Sequence, residues 1–382
     1  MNDQSASIDR AVRSIFSDSD LHANTTGSIA NAVVGAVFAA QAGIASIGRA
    51  MATALDLNPK HAIKQFDRLL SNSNFDLDRA FHDHIKFVVG SRWKVVVALD
   101  WTDYEGGNQH RINLSLTTRH GRATPLLWKS VPHSALKDHR NDYEDELLRQ
   151  FKRLLPSTVK RVTVLADRGF GDVDLYDMLQ HELGFDYVIR FRAGLVVRDE
   201  EGTANYGRQW VPSNGRARLL PNAEITNQRY RVPAVVAVKA ARMKDSWLLA
   251  TSLPLKAAEI VSLYGKRFSI EENFRDEKDW RFGLGSRWVN IAREDRRDRL
   301  CFVLALACIL MTLLGQSGEE LGLDRSLRAN TVRRRTHSLF RQGREYLRGA
   351  IGKLAHAPAL LWRRFVLLVA AQPQVAEDWG II

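Results

Sequence analysis

The chain has 382 residues, enough for two or three domains at about 100–200 residues each. Hydrophobic residues make up 45% and charged residues 26%, a balance that excludes a disordered, collagen-like or disulfide-stapled chain. Lys and Arg outnumber Asp and Glu by 55 to 43, and the excess is uneven: −1 over residues 1–90, +6 over 91–278 and +7 over 279–382. A basic middle and C-terminal part points to a polyanion, nucleic acid first, with a basic protein lacking such a partner as the alternative. The two cysteines, Cys301 and Cys308, cannot build a disulfide framework and suit a reducing cytoplasm. Met1-Asn2-Asp3-Gln4 does not open a secretory leader. The longest apolar run, Leu300 to Leu314, is shorter than a membrane span and predicts a buried helix instead.

Residues 1–90 read as helical. Ser28 to Leu57 is rich in Ala and small apolar residues without strand alternation. A further helix is predicted from Asn58-Pro59, a cap residue followed by proline at the first helical position. Lys60, Lys64 and Arg68 recur on one of its faces opposite Phe66, Leu69 and Leu70, as a DNA-backbone contact or as a solvated surface. From residue 91 the period changes. Val95 to Leu99 and Val162 to Ala166 are short apolar runs expected to be strands buried on both faces, and each ends on an aspartate, Asp100 and Asp167. Strands are also predicted at Arg111–Thr118, Thr124–Val131 and Tyr187–Phe191, with helices at Asp142–Leu155 and Asp172–Leu183. This alternation predicts an α/β sheet core.

Between Leu195 and about Ser252 come short Val- and aromatic-rich segments broken by Gly, Pro and Asn, including Trp210-Val211-Pro212, Arg229–Val232, Ala234–Val238 and Trp247–Ala250. They predict a β-rich insertion. After Lys256 the chain is expected to stay helical. Arg325 to Arg348 holds eight arginines against the single acid Glu345 and reads as an amphipathic helical unit with a basic face, placing Arg333 and Arg334 against phosphates or in solvent.

Two strand-end aspartates on adjacent strands would repel unless a divalent cation neutralised them, and hard oxygen ligands suit magnesium or manganese. In the helix after Lys256, Tyr264, Arg267, Glu271 and Lys278 are spaced 3, 4 and 7 apart. At about 100° per residue they fall within roughly a 60° arc, beside an arc of Ile260, Leu263, Ile270 and Phe274 that would dock on the sheet. One carboxylate among a phenol, a guanidinium and an ammonium suits a metal ligand surrounded by phosphate-holding groups, while an i, i+4 salt-bridged surface stripe is the plainer reading. His82, His84, His133 and His139 have no partner at metal spacing and are expected on the surface or in loops. Cys301 and Cys308 are expected in the core.

The spacing Tyr264-(2)-Arg267-(3)-Glu271-(6)-Lys278 resembles the Tyr-Arg-Glu-Lys signature of the insertion-sequence-4 family of DDE transposases, in particular the group of the tetracycline-resistance composite transposon. Leu99-Asp100-Trp101-Thr102-Asp103 and Ala166-Asp167-Arg168-Gly169-Phe170 resemble the family's two aspartate motifs, and the likeness runs from about Lys60 to about Tyr346. The resemblance implies a ribonuclease-H-like mixed-sheet catalytic core interrupted by a β-rich insertion and flanked by helical N- and C-terminal regions. Its expected divisions are residues 1–90 (DNA binding), 91–194 and 255–315 (core), 195–254 (insertion) and 316–382 (C-terminal helices). It further implies two Mg2+ ions, replaceable by Mn2+, held by Asp100, Asp167 and Glu271. Tyr264, Arg267 and Lys278 would contact DNA phosphates, and Trp247 would stack on an extruded base, a core tryptophan being the alternative. The implied partners are double-stranded DNA at transposon ends and targets and a second copy of the chain, with no membrane. The implied activity is cut-and-paste transposition. A metal-dependent nuclease on the same core and a non-catalytic DNA-binding repressor are the other readings.

Overall fold

The computed structural model describes residues 3–349 and 357–370. Helices α1 (Asp3–Ile15), α2 (Ala23–Ala39), α3 (Ile44–Leu55), α4 (Pro59–Ser71) and α5 (Leu77–Val89) form the N-terminal part. The side chain of Asn58 accepts from the N–H groups of Lys60 and His61, so α4 starts where its cap and proline predict. Then come β1 (Lys94–Tyr104), β2 (Gln109–Leu116), β3 (Thr124–Pro132), α6 (Arg140–Leu154), β4 (Arg161–Ala166), α7 (Val173–Asp177) and β5 (Asp186–Arg190). Strands β6 (Val196–Arg198), β7 (Ala204–Tyr206), β8 (Arg218–Ile225), β9 (Tyr230–Val238) and β10 (Trp247–Thr251) follow. The described chain closes with α8 (Ala257–Gly265), α9 (Ser269–Lys278), α10 (Glu294–Glu320), α11 (Leu339–Leu347) and α12 (Ala357–Ala370).

All ten strands share one sheet in the order β3-β2-β1-β4-β5-β10-β9-β8-β6-β7. Only β1–β4 and β4–β5 pair in parallel. The fold is therefore mixed α/β with a ribonuclease-H-like core, β3-β2-β1-β4-β5, and the inserted strands prolong that sheet. Alternation decides which side chains meet which layer. Val95, Val97, Leu99, Val162, Val164 and Ala166 enter the large core shared with the N-terminal helices, α6 and α10. Val96 and Leu165 lie beneath Ile260 and Tyr264, and Ala98 beneath Ile270 and Phe274, on the face covered by α8 and α9.

Phe302 of α10 is fully buried and ringed by Phe16, Phe75, Phe81, His84 and Trp128 at centroid distances of 5.7 to 6.3 Å. This cluster ties the N-terminal helices and β3 to α10, and truncating Phe302 to Ala would cost about 3–5 kcal/mol. Gly315 of α10 and Gly343 of α11 mark where those helices touch. A Cβ on either would lie 1.9 Å from a backbone oxygen of the other helix or its entry, Leu339 or Met311. Helix α10 is long and apolar enough to cross a membrane, but 89% of that stretch is buried inside the protein, as in a core helix. Cys301 and Cys308 are buried there as free thiols.

Several expectations need correction. His84 is not on the surface: it is fully buried, with Nε2 2.7 Å from the Pro125 carbonyl, and burial pushes its pKa down to about 4. Trp210 lies in a short 3-10 turn, and β9 runs through Pro233 as one strand. Proline is tolerated because the β10 ladder stops at Ala234 and the β8 pairing skips residue 233. The segment Arg325–Arg348 is not one helix. Residues 328–338 are irregular, and Arg333 and Arg334 stand exposed there, because the arginine run offers no apolar stripe to bury. Residues 279–293 also leave the helical path predicted for them. The helical reading of the C-terminal region extends over 350–356 and 371–382, which lie outside the described residues.

Candidate active site

The parity that buries Val96 under α8 and Ala98 under α9 brings Asp100 to that same face, and Leu165 does likewise for Asp167. Leu99 and Ala166 are the last parallel pair, so Asp167 follows at the carboxyl end of β4, where α/β sheets place their sites. Strand β1 does not end on Asp100 as predicted but runs on to Tyr104 along β2. Asp167 caps a 3-10 turn by accepting the Gly169 N–H at 2.7 Å.

Glu271 reaches the pair from α9. Helices α8 and α9 are joined by a 3-10 turn at Lys266–Phe268, following a glycine at 265, and Arg267 and Glu271 still meet one turn apart. Tyr264 precedes the break. It is 1% exposed, packed in the cluster under α8, and burial pushes its pKa up to about 12 against the opposing Arg267 guanidinium. Arg267, in the turn, donates to Asp100 Oδ2 at 3.0 Å and to Glu271 Oε1 at 2.5 Å. One nearly buried guanidinium thus links a carboxylate of the sheet to one of the helix. Asp100 is pushed up to about 6, first by burial and then by the negative charges of Asp167 and Glu271, with Arg267 working the other way. Asp100 accordingly feels both of the other carboxylates.

Lys278 ends α9 and reaches the end of β1: Nζ donates to Thr102 Oγ1 at 2.7 Å and Asp103 Oδ1 at 3.1 Å. Burial lowers its pKa, opposed by Asp103. A groove of about 330 Å3 runs past Glu271 and Lys278 and is flanked by Trp280 and Trp288. Trp247 opens β10, half-buried, its ring edge-on to Tyr264 at 4.9 Å and tilted on Phe268 at 5.8 Å. In the N-terminal part, Lys64 and Arg68 line a polar groove of about 770 Å3 between the start of α2 and α4, and Lys60 is exposed on the same helix.

Three groups that hold α9 in place were not singled out from sequence. Arg111 donates to both oxygens of Glu277, at 3.0 and 2.6 Å, and the Tyr104 hydroxyl donates to Glu277 Oε1 at 2.6 Å. All three are buried, and they fasten the helix bearing Glu271 to β1 and β2. No local pattern announces them, since Glu277 lies 166 residues from Arg111.

A family model described as the transposase DDE domain matches residues 94–310, more than half of the chain and the whole stretch from β1 into α10. The chain belongs to the DDE transposase family. No curated protein matches it. Members of this family are polynucleotidyl transferases or endonucleases that act on DNA and use divalent metals. The donor set in this transposase fits such an ion: three carboxylates, all hard oxygen ligands, with charges that already oppose one another. Among the described residues no cluster of three ligands stands ready-closed, because Arg267 occupies the space between Asp100 and Glu271.

Proposed function

We propose that this chain is a cut-and-paste transposase of the insertion-sequence-4 type. On this reading it nicks transposon ends by hydrolysis, turns the freed 3′ hydroxyl on the opposite strand to form a hairpin, opens the hairpin and joins the end to target DNA. The observation that carries the reading is that Asp100 and Asp167 directly follow the last parallel pair of β1 and β4, and that Arg267 links Asp100 to Glu271 of α9.

Asp100, Asp167 and Glu271 are the residues that would hold two Mg2+ ions, or Mn2+ in their place. When bound, such a pair activates the attacking oxygen and offsets the charge of the pentavalent phosphate. Arg267 would turn from the carboxylates to a phosphate oxygen of the DNA, a contact suited to its planar fork. Lys278, held at the mouth of the groove by Thr102 and Asp103, would contact a neighbouring phosphate. Tyr264, buried under the turn, would act by supporting Arg267 or would need to open to reach DNA. Trp247 would receive the base extruded as the hairpin bends. Its ring is already part of an aromatic group with Tyr264 and Phe268.

The N-terminal helices, with Lys60, Lys64 and Arg68 on α4, would bind the end sequence, and the exposed Arg333 and Arg334 would contact backbone. The assembly would be a dimer on two DNA ends, in a bacterial cytoplasm. The test is joining. A pre-cleaved duplex from the DNA flanking the gene, incubated with the protein, Mg2+ and a plasmid, should become covalently attached to the plasmid. Cleavage without joining would leave a nuclease, and binding with neither would leave a repressor.

A further inference from the structure

Asp279–Arg293, between α9 and α10, carries two of the most exposed large hydrophobic side chains among the described residues. Trp280 is 65% exposed and Trp288 59%. An exposed indole is expensive, since an aromatic ring of this size buries about 150–250 Å2 when covered. These two flank the groove that also contains Glu271 and Lys278. Each has a guanidinium beside its ring, Arg281 at 5.0 Å from Trp280 and Arg287 at 5.6 Å from Trp288.

The rings stand on a braced loop. Asp279 spends one carboxylate oxygen on the N–H groups of Arg281 and Phe282, at 2.8 and 2.6 Å. Its carbonyl accepts from Gly283 and Gly285, and that of Asp276 accepts from Leu284. A Cβ at Gly283 would lie 2.3 Å from the Asp276 oxygen, so the loop folds hard against the end of α9. On the Trp288 side, Ser286 reaches buried Glu277, and the Arg287 carbonyl accepts the Gly106 N–H from the β1–β2 turn. The backbone that carries both indoles is therefore braced against the helix that carries Glu271, which lowers the ordering cost of binding.

We infer that Trp280 and Trp288 form a stacking site for unpaired nucleotides of the DNA strand beside the scissile phosphate, an inference that rests on the reading of Glu271 as part of the catalytic site. Aromatic faces among arginines and lysines are the chemistry of single-stranded nucleic acid: the rings take bases and Arg281 takes a phosphate, while Arg275, Lys278 and Arg287 would exchange their present partners Glu272, Asp103 and Glu105 for phosphates. Within a paired duplex the base faces are covered by their neighbours, so the site selects a frayed end or an overhang. A second copy of the chain would also welcome tryptophan, but the guanidinium set beside each indole suits a base and its phosphate.

The test compares a blunt duplex with the same duplex carrying a short single-stranded overhang, 2-aminopurine at its first unpaired position, using the full chain in EDTA so that no cleavage occurs. The wild type should prefer the overhang and change the 2-aminopurine fluorescence. Trp280→Ala and Trp288→Ala should each cut the overhang-to-blunt affinity ratio about tenfold, Trp280→Phe should keep much of it, and Trp93→Ala, an exposed tryptophan before β1, should change nothing. Equal wild-type affinity for the two DNAs, or tryptophan variants that keep the preference, would overturn the inference. So would variants that change the mass of the protein in solution and not its overhang preference, since the rings would then serve a subunit contact. Because the readout needs no cleavage, failure here and failure of the joining assay are separate results.

Discussion

Two arginine–carboxylate pairs lie along α9, and they are built to different ends. Arg111 and Glu277 meet at 2.6 Å with side chains 2% and 7% exposed. Arg267 and Glu271 meet at 2.5 Å, but Glu271 is 49% exposed. The first pair is bidentate and capped by Tyr104, and Arg111 holds the Glu277 carboxyl below its usual range despite full burial. The second shares its guanidinium with a carboxylate, Asp100, that is pushed upward. A sealed pair, bidentate and closed to solvent, holds structure. A pair open to solvent, with a third carboxylate crowding it, can be taken apart by a cation or a phosphate. On the proposed function the contrast assigns chemistry to Glu271 and support to Glu277, six residues apart on one helix.

Substitution at the two glutamates gives the largest expected difference. Glu271→Gln should abolish nicking and leave unfolding free energy within about 1 kcal/mol, since its exposed pair contributes little. Glu277→Gln should cost about 3–5 kcal/mol, because it strands the buried Arg111 charge. Denaturant titration and a nicking assay on the same preparations check both, and equal stability losses would erase the distinction.

The pairs should also respond to pH with opposite signs. Glu277 titrates lower in the fold than when unfolded, so its stabilisation is full above its ordinary range near 4.5 and is lost as pH falls through the lowered value. The deficit of Glu277→Gln should therefore shrink in acid. Asp100, near 6 in the fold against 3.8 unfolded, binds its proton more tightly when folded, so its contribution is lost as pH rises through about 6. Asp100→Asn should gain on the wild type from pH 4 to 7, by up to about 3 kcal/mol at about 1.4 kcal/mol per pH unit of difference. Stability curves of the two variants that run parallel would contradict this.

Arg267→Ala should be milder in the fold and sharper in function. Losing one phosphate contact costs about 3–4 kcal/mol of transition-state stabilisation in a site that excludes water. Hairpin formation or opening should thus fall by about a hundredfold or more while end binding persists, and normal transposition by this variant would reduce Arg267 to a salt-bridge residue. The smallest effect is expected from Trp247→Ala: nicked ends should accumulate and hairpins become scarce, by about tenfold, from the loss of one stacking partner. Unimpaired hairpin formation by a folded variant would end that role.

What the sequence discloses follows from how local each signal is. Strand parity is a two-residue rule, so Val96, Ala98 and Asp100 on one face, and the apolar runs ending on aspartate, are legible from the chain alone, as is the α/β class. The Tyr-Arg-Glu-Lys spacing is legible as spacing. Its burial is not: Tyr264 lies in the core beneath α8, and Arg267 sits nearly buried between Asp100 and Glu271. Arg111 and Glu277 are invisible for a different reason: their partnership spans the fold, and each alone is an ordinary charged residue. Trp280 and Trp288 stood in plain view in a stretch read as helix, where Gly283 and Gly285 were the signs of a turn.

The central claim is that Asp100, Asp167 and Glu271 jointly hold the cations of the reaction. Mn2+ bound by the protein on a duplex from the DNA flanking its gene, counted by electron paramagnetic resonance, tests it most directly. The account predicts two ions per active site in the wild type and one or none in each of Asp100→Asn, Asp167→Asn and Glu271→Gln. Undiminished Mn2+ binding in any folded member of the three would contradict it.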